Sequence, residues 1–372
     1  MKENLSIKKT VVYIAVLAGL LALTMIVILK DEDLGKLWGV VQGVHPGFFA
    51  GAGVLAMSFV FFEGANIHKI LGILNYKISY LKCVKYAMAG YFFSAITPSA
   101  SGGQPMQIYA MKKDDIQVSH SSITLLMELL CLQGATCLYG SAAIVMALTG
   151  VFSANHYVML LAIVGLVLGL GMFVFLAFAI FSKRISAMLM RVVIGLVKRL
   201  PFLSDERKTG FASATAEQFE EYAACSQVIK GNKRVLLKVF ATSAAQLGFQ
   251  FAIAALAYFA LGQTGVSVGT LVVMQALVFL CTSFVSLPGA VGASETVFLA
   301  VFGAVYSTGL GGAAMILTRG IAFYIPVLLW GAIVMTFMAK DMVKPARKLE
   351  QVKEVVAKKT IADAAACYMP KN

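Results

Sequence analysis

Charged residues are scarce in this sequence. They make up 13% of its 372 residues, whereas soluble domains carry about a quarter. Hydrophobic residues account for 59%, and the mean hydropathy is +0.83. The formal net charge of +13 does not indicate a nucleic-acid partner, because the basic residues lie in the links between apolar runs, as they do in cytoplasmic loops. The composition therefore predicts a polytopic membrane protein.

The sequence also lacks paired cysteines, metal-binding motifs and any nucleophile–base constellation. Its six cysteines show no C-x-x-C spacing, and most lie in apolar runs, where a free cysteine behaves as a small hydrophobic residue. The four histidines are scattered along the chain. We therefore expect no disulfide, no metal site, no cofactor and no catalytic residue.

Long apolar runs cover most of the chain. The first is too long for the core of a signal peptide and predicts an uncleaved helix. Lysines before this run, in the polar insert at 182–234 and in the C-terminal tail orient the chain by the positive-inside rule. Both termini are predicted to be cytoplasmic, in the plasma membrane. The runs fall at about 11–29, 47–63, 85–110, 118–150, 157–181, 235–262, 269–305 and 311–339.

Two of these runs must enter and leave the membrane on the same side to satisfy the charge pattern. Run 85–110 begins and ends in the cytoplasm and is interrupted at TPSASGG; run 269–305 begins and ends outside and is interrupted at SLPGAVGASE. The sequence therefore predicts an all-α polytopic membrane protein with six spanning helices and two opposed re-entrant hairpins. One alternative stays open, because 269–287 is long enough to span the membrane fully.

The two interruptions align with each other as P-x-A-x-G, at Pro98–Gly102 and Pro288–Gly292, each with a hydroxyl residue just upstream. Together with the opposed hairpins, this predicts an inverted-topology repeat, unless two unrelated breaks match by chance. Repeat one covers about 47–150 and repeat two about 235–339. They lie in a transmembrane domain over 1–340 that contains the cytoplasmic insert 182–234, and a basic cytoplasmic tail follows at 341–372.

Irregular backbone at membrane depth is tolerated only where protein buries it or where it lines a wet cavity. Helix N-termini beside such breaks bind anionic groups, so the two interruptions predict a phosphate site. The alternative is that their small residues only permit close helix packing. The candidate substrate-binding residues are Thr97, Ser99, Ser101, Gly102, Gly103, Gln104, Ser286, Gly289, Gly292, Ser294, Glu295 and Arg319.

Three charged residues, Glu128, Glu295 and Arg319, lie inside apolar runs, where ionisable side chains indicate function by default. Arg319 could bind a lipid phosphate through two parallel hydrogen bonds. Alternatively, Arg319 forms a structural ion pair with Glu295 or Glu128, and both roles can hold in different states. Glu128 and Glu295 are then expected to act as gates or as contacts for a cationic headgroup. Other polar residues in the runs are interpreted as marking the membrane interface or joining helices: Glu63, Asn66, Gln246 and Gln250.

The insert begins with an amphipathic pattern. On a helix, five basic residues fall on one face and apolar residues on the other, which is typical of a helix lying on an anionic leaflet. A helix packed on its own cytoplasmic domain is the alternative. The basic residues are Lys183, Arg184, Arg191, Lys198 and Arg199.

Three segments, ITPSASGGQPMQIYAMKKD, SLPGAVGASETVF and TRGIAFYIPVLLWG, resemble the lysylphosphatidylglycerol synthase transmembrane family. This is the flippase-like module at the N-terminus of the multiple peptide resistance factor (MprF). The resemblance implies lipid metabolism, lipid transport and antimicrobial peptide resistance. The family often has an acidic residue after the glycines of the first loop, where this chain has Gln104; Glu295 matches the usual acid of the second loop.

These observations together predict a flippase that moves a phosphate-bearing phospholipid or lipid-linked headgroup, aminoacylated or not, between leaflets. One alternative is a membrane component of a phosphatidylglycerol lysyltransferase, although the insert is too small for an aminoacyl-transferase domain. The other is a secondary transporter of a small anion. The expected partners are membrane phospholipid, a separate soluble aminoacyl-lipid synthase or glycosyltransferase, and a second copy of the chain.

Overall fold

The computed structural model describes residues 42–198, 219–307 and 309–338, besides Gly39. All regular secondary structure in these ranges is helical, which confirms the predicted all-α class. The first predicted helix, at 11–29, lies outside the described residues, as do Arg199 and the basic tail.

The first half of the described chain contains three long helices and two short ones. Helix α1 (Pro46–Ile73) is followed by α2 (Tyr80–Ile96), a 3-10 turn (Pro98–Ala100) and α3 (Gly103–Lys112). Helices α4 (Val118–Leu148) and α5 (His156–Phe181) complete this half. Side-chain caps start two of the long helices: His45 accepts from the Gly47 N–H, and Asn155 accepts from the Val158 N–H.

The second half repeats this order after two helices of the insert. Helix α6 (Lys183–Lys198) and α7 (219–231) precede the long helix α8 (Lys233–Ala260). Helix α9 (Val268–Thr282) then leads to a 3-10 turn (Pro288–Ala290) and α10 (Ala293–Phe302). Helix α11 (Gly311–Arg319) passes through a π-helical turn (Gly320–Tyr324) and continues as a helix to Met338.

Five helices in the described ranges are long and apolar enough to cross a membrane, and they match five of the six predicted spans. They are Pro46–Ile73, Val118–Leu148, His156–Phe181, Lys233–Ala260 and Gly311–Met338. The boundaries lie close to those predicted, except that the run at 47–63 continues as a helix to Ile73.

Helix α9 is apolar but shorter than the five helices that are long enough to cross a membrane. It has 15 residues, so it is about 22 Å long, whereas a bilayer core is about 30 Å thick. The alternative in which 269–287 spans fully requires a longer helix than this one, which ends at Thr282.

Helices α1 and α8 form the antiparallel centre of the bundle. Ala52 and Ala56 on α1 pack with Ile253 and Ala257 on α8 at one end. At the other end, Asn66 on α1 donates to Ser243 on α8. Small side chains at this contact let the two backbones approach closely, which is how helices associate without a hydrophobic driving force between them.

The two interruptions contact each other, and their first residues share one backbone conformation, whereas Gly102 (φ −84°) and its counterpart Gly292 (φ 89°) differ. Ser99 has φ 52° and ψ 27°, and its counterpart Gly289 has φ 59° and ψ 13°. The alanines that follow, Ala100 and Ala290, also have positive φ, at 54° and 49°. Each interruption leads into a ten-residue helix. This likeness supports the predicted internal repeat, whose opposed orientation in the membrane stays a prediction.

Candidate functional site

The second break, residues 286–295, is organised by the carboxylate of Glu295. Glu295 lies in the first turn of α10 and is fully buried. Its Oε2 accepts from the Gly292 N–H at 2.7 Å, which satisfies a free donor at the helix start. Gly292 has φ 89°, a conformation that favours glycine and turns the chain into α10.

Arg319 approaches the same carboxylate from α11. Its Nε donates to Glu295 Oε1 at 2.8 Å, and its Nη2 donates to the carbonyl oxygen of Gly289 at 3.0 Å. Tyr324 also donates to Glu295 Oε1, at 2.6 Å. Of the two ion pairs considered for Arg319, the structure therefore forms the pair with Glu295 and not the pair with Glu128.

The π-helical turn presents aromatic rings to the Arg319 guanidinium. The guanidinium carbon lies 4.7 Å from the ring centroid of Phe323 and 5.6 Å from that of Tyr324, within the range of cation–π attraction. The side chain is 14% exposed. The bonds to Glu295 and Gly289 use two of the five N–H donors, and a contact with the Tyr324 hydroxyl still leaves donors for a further acceptor.

The first break, residues 97–104, is held by a hydroxyl rather than by a carboxylate. Thr97 Oγ1 donates to the Phe93 carbonyl at 2.6 Å and accepts from the Gly102 N–H at 2.9 Å. Ser99 and Ser101 are exposed, and Gln104 is partly buried. In the second break Ser286 is exposed, whereas Ser294 is buried.

The glycines of the two breaks are in close contact with protein atoms. A Cβ at Gly103 would collide with Ser94 Oγ and lie 2.8 Å from the Gly90 carbonyl oxygen, and one at Gly102 would lie 2.7 Å from Thr97 Cγ2. A Cβ at Gly289 would collide with the Phe323 ring. In this conformation these three glycines permit close packing of protein against protein.

Glu128 lies apart from Arg319 and close to a carboxylate that the sequence interpretation assigned to the membrane interface. Its charge interacts with that of Glu63 on α1. Glu63 Oε1 accepts from Gln107 Nε2 at 2.5 Å. The sequence contained a signal for this polar cluster. Glu63 and Asn66 are three residues apart, so they occupy one face of the helix if it continues past position 63.

The two glutamines of α8, Gln246 and Gln250, differ in their hydrogen bonding. Gln250 Nε2 donates to the Ala322 carbonyl in the π-helical turn at 2.8 Å, so it joins α8 to this segment. Gln246 is fully buried and, among the described residues, has no hydrogen-bond partner at either end of its amide.

The predicted amphipathic helix exists as α6. Lys183, Arg184 and Arg191 are exposed, and so are the apolar Met188 and Val192, whereas Ile185 is partly buried. The side chain of Lys198 and the whole of Arg199 lie outside the described residues. The exposed basic face agrees with the predicted amphipathic pattern, and its contact with lipid stays a prediction.

An open apolar groove lies beside the second break. It has a volume of about 430 Å³ and is lined by α5 residues together with Phe284. The α5 residues are Val167, Leu168, Gly171, Met172 and Phe175. The groove therefore joins the most hydrophobic long helix to the segment that precedes Pro288.

The fold and this site define a polytopic helical membrane protein in which two interrupted helical segments meet beside a partly buried arginine. The chain belongs to the family described as lysylphosphatidylglycerol synthase TM region, which matches residues 10–329. It is also similar to a protein of Archaeoglobus fulgidus named UPF0104 membrane protein, with 26% identity over 102 residues. That match covers 27% of this chain and 31% of the relative's length.

Proposed function

We propose that this protein moves a phosphate-bearing lipid headgroup between the two leaflets of the plasma membrane. The headgroup phosphate binds where the two breaks meet, and Arg319 supplies the positive charge. The observation that carries the proposal is the free side of the Arg319 guanidinium, which is fixed by Glu295 and by the Gly289 carbonyl and yet retains unused donors toward the described residues. A guanidinium held in this way suits a phosphate oxygen.

The groove beside the second break favours a lipid over a small soluble anion. The groove beside Phe284 is apolar and open, so it can accept an acyl chain while the headgroup lies at the breaks. Ser99 and Ser101 are exposed next to the meeting point and offer hydroxyl donors to the phosphate.

The remaining charges have supporting roles in this proposal. Glu295 holds Arg319 in place and releases part of it when the phosphate binds, because the two anions compete for one guanidinium. The exposed basic face of α6 attracts anionic lipid on the cytoplasmic leaflet. A separate soluble synthase or glycosyltransferase that supplies the lipid is the partner that this function requires.

Reconstitution into liposomes tests the proposal. Fluorescent phospholipids with several headgroups, aminoacylated phosphatidylglycerol included, are placed in one leaflet, and their movement is followed by quenching with a membrane-impermeant reductant. We expect headgroup-dependent movement by the wild type and at least about a tenfold loss for Arg319→Ala, since a hydrogen bond to a charged group contributes about 1.5–3 kcal/mol.

Arg234→Ala is the matched control, because Arg234 is an exposed arginine at the start of α8. It should move lipid at the wild-type rate. Movement that does not depend on the headgroup, or an Arg319→Ala variant as active as the control, contradicts the proposal. Transport of a small phosphate anion without lipid movement favours the anion transporter instead.

A further inference from the structure

A second polar cluster lies between three of the long helices and the short helix α3, and it contains none of the residues of the two breaks. It consists of Glu63 and Asn66 on α1, Gln107 on α3, Glu128 on α4 and Gln246 on α8. Asn66 and Gln246 are 0% exposed, Gln107 is 4% exposed and Glu128 is 8% exposed. Polar side chains at such depth are costly unless they are partnered.

Two hydrogen bonds, the register of α1 against α8 and an electrostatic coupling bring these residues together. Asn66 Nδ2 donates to Ser243 Oγ at 3.1 Å across the antiparallel pair of α1 and α8. Glu63 lies one turn before Asn66, and Gln246 lies one turn after Ser243, so the antiparallel register sets Glu63 and Gln246 opposite each other. Gln107 donates to Glu63, and Glu128 is close enough to Glu63 for the ionisation of one to influence the other.

The cluster has more acceptors than donors. Asn66 and Gln107 use their amide nitrogens, whereas Asn66 Oδ1, Glu128 Oε1 and both amide atoms of Gln246 have no hydrogen-bond partner among the described residues. The ion pairs of the described residues are Lys82 with Asp114 and Arg319 with Glu295, so neither Glu63 nor Glu128 is neutralised by a basic side chain there. Unpaired oxygens around two carboxyl groups favour a positively charged ligand.

We propose that this cluster binds a small monovalent metal cation. Glu128 Oε1, the second oxygen of Glu63 and the amide oxygens of Asn66 and Gln246 supply the ligands, since hard cations prefer carboxylate and carbonyl oxygens. Glu63 is the least buried of the five and offers the route of entry. The proposal goes beyond lipid movement, because it requires no lipid.

The cation site lies next to the Arg319 site. The ring of Tyr91 on α2 packs edge-on against Phe59, one turn before Glu63 on α1, with 5.8 Å between the ring centroids. The Tyr91 hydroxyl donates to the Ala322 carbonyl at 3.3 Å, in the π-helical turn that also carries the rings packed on Arg319. A cation at Glu63 and Glu128 therefore alters the electrostatic environment of the headgroup site.

Sodium is the probe for this site. The purified full chain in detergent is titrated with NaCl against choline chloride at constant ionic strength, and binding is read by thermal unfolding and by radioactive sodium retention. We expect a saturable rise in Tm and saturable sodium binding. Both should weaken by about tenfold or more in Glu63→Gln and in Glu128→Gln, which remove the ligand charge at nearly constant shape.

Asp115→Asn is the matched control, because Asp115 is an exposed carboxylate outside the cluster. It should bind sodium like the wild type. The proposal is overturned if the wild type shows no saturable response to sodium beyond that to choline, or if the double variant Glu63→Gln/Glu128→Gln keeps it. The sodium experiment does not measure lipid movement. Its outcome therefore neither supports nor contradicts the flippase proposal, which the liposome experiment tests separately.

If the variants do not fold, a measurement on the wild type tests whether Glu63 and Glu128 bind sodium. Dicyclohexylcarbodiimide modifies carboxyl groups in apolar surroundings, and mass spectrometry locates the modified residues. Bound sodium should protect Glu63 and Glu128 from modification, whereas choline should not. Equal modification in both salts contradicts the proposed site.

Discussion

The environment of Glu295 combines full burial with complete use of its oxygens. Oε1 accepts from Arg319 and Tyr324, and Oε2 accepts from the Gly292 N–H. A buried ion pair of this kind contributes little net stability by itself, since both charges lose their hydration. Removing one partner is costly, because the other charge then stays buried without compensation.

We therefore expect Glu295→Gln to be destabilised by about 3 kcal/mol, because Arg319 is left without its counter-charge. Arg319→Met should be destabilised for the converse reason. The double variant should be more stable than the sum of the two losses predicts, with a coupling energy of about 1–3 kcal/mol. Thermal and denaturant unfolding of the purified proteins measure these differences. Additive losses would show that the pair is not coupled.

At the scale of elements, the first hairpin is closed at its base by polar contacts. Lys82 and Tyr86, in the first turns of α2, both donate to the carboxylate of Asp114, just after α3. Burial alone would raise the pKa of Asp114, but hydrogen bonds from Lys82 and Tyr86 and the charges of Lys82 and Lys85 lower it below its usual value. These contacts join the two ends of the hairpin on one side of the bundle.

The lowered pKa makes this contribution dependent on pH. Because the folded protein binds the Asp114 proton less tightly than the unfolded chain does, the stabilisation is present above the usual pKa of 3.8 and is lost as the pH falls through the folded pKa. Asp114→Asn should cost about 1 kcal/mol or less at neutral pH, since the carboxylate is partly exposed. Thermal unfolding across a pH series should show the difference from the wild type shrinking only below that value. A constant difference contradicts this account.

The positions of the helices were predictable because a chain that spans lipid must satisfy its backbone hydrogen bonds internally, and long apolar runs do so as helices. The interruptions were predictable as well, because Pro98, Pro288 and the glycines after them weaken a helix at a depth where lipid offers no other hydrogen-bond partner. Helix α1 extends to Ile73, beyond the apolar run at about 47–63, so Glu63, which was interpreted as a membrane-interface residue, lies inside the helix. Its partner Gln107 lies 44 residues further along the chain, and hydropathy carries no information about such a contact.

At the scale of the whole molecule, the two halves share an order of elements. A long helix, a short helix, a 3-10 turn, a short helix and a further long helix occur in each. The breaks of the two halves contact each other, so a ligand bound there contacts both halves at once. Inverted repeats with a site at their interface are the arrangement in which one half can move against the other around a fixed ligand.

Cysteine labelling tests the opposed orientation of the halves. The five described natural cysteines are buried, so single cysteines are introduced at exposed positions after Cys367 is replaced by serine. In intact cells an impermeant maleimide should label Ser307→Cys, beyond the second hairpin, but not Lys112→Cys, at the end of the first. Lys112→Cys should react only after permeabilisation, as should Lys230→Cys in the insert that is predicted to be cytoplasmic. If α9 and its continuation spanned the membrane fully, Ser307→Cys would lie on the same side as Lys112→Cys and would react only after permeabilisation. That result would exclude the inverted repeat.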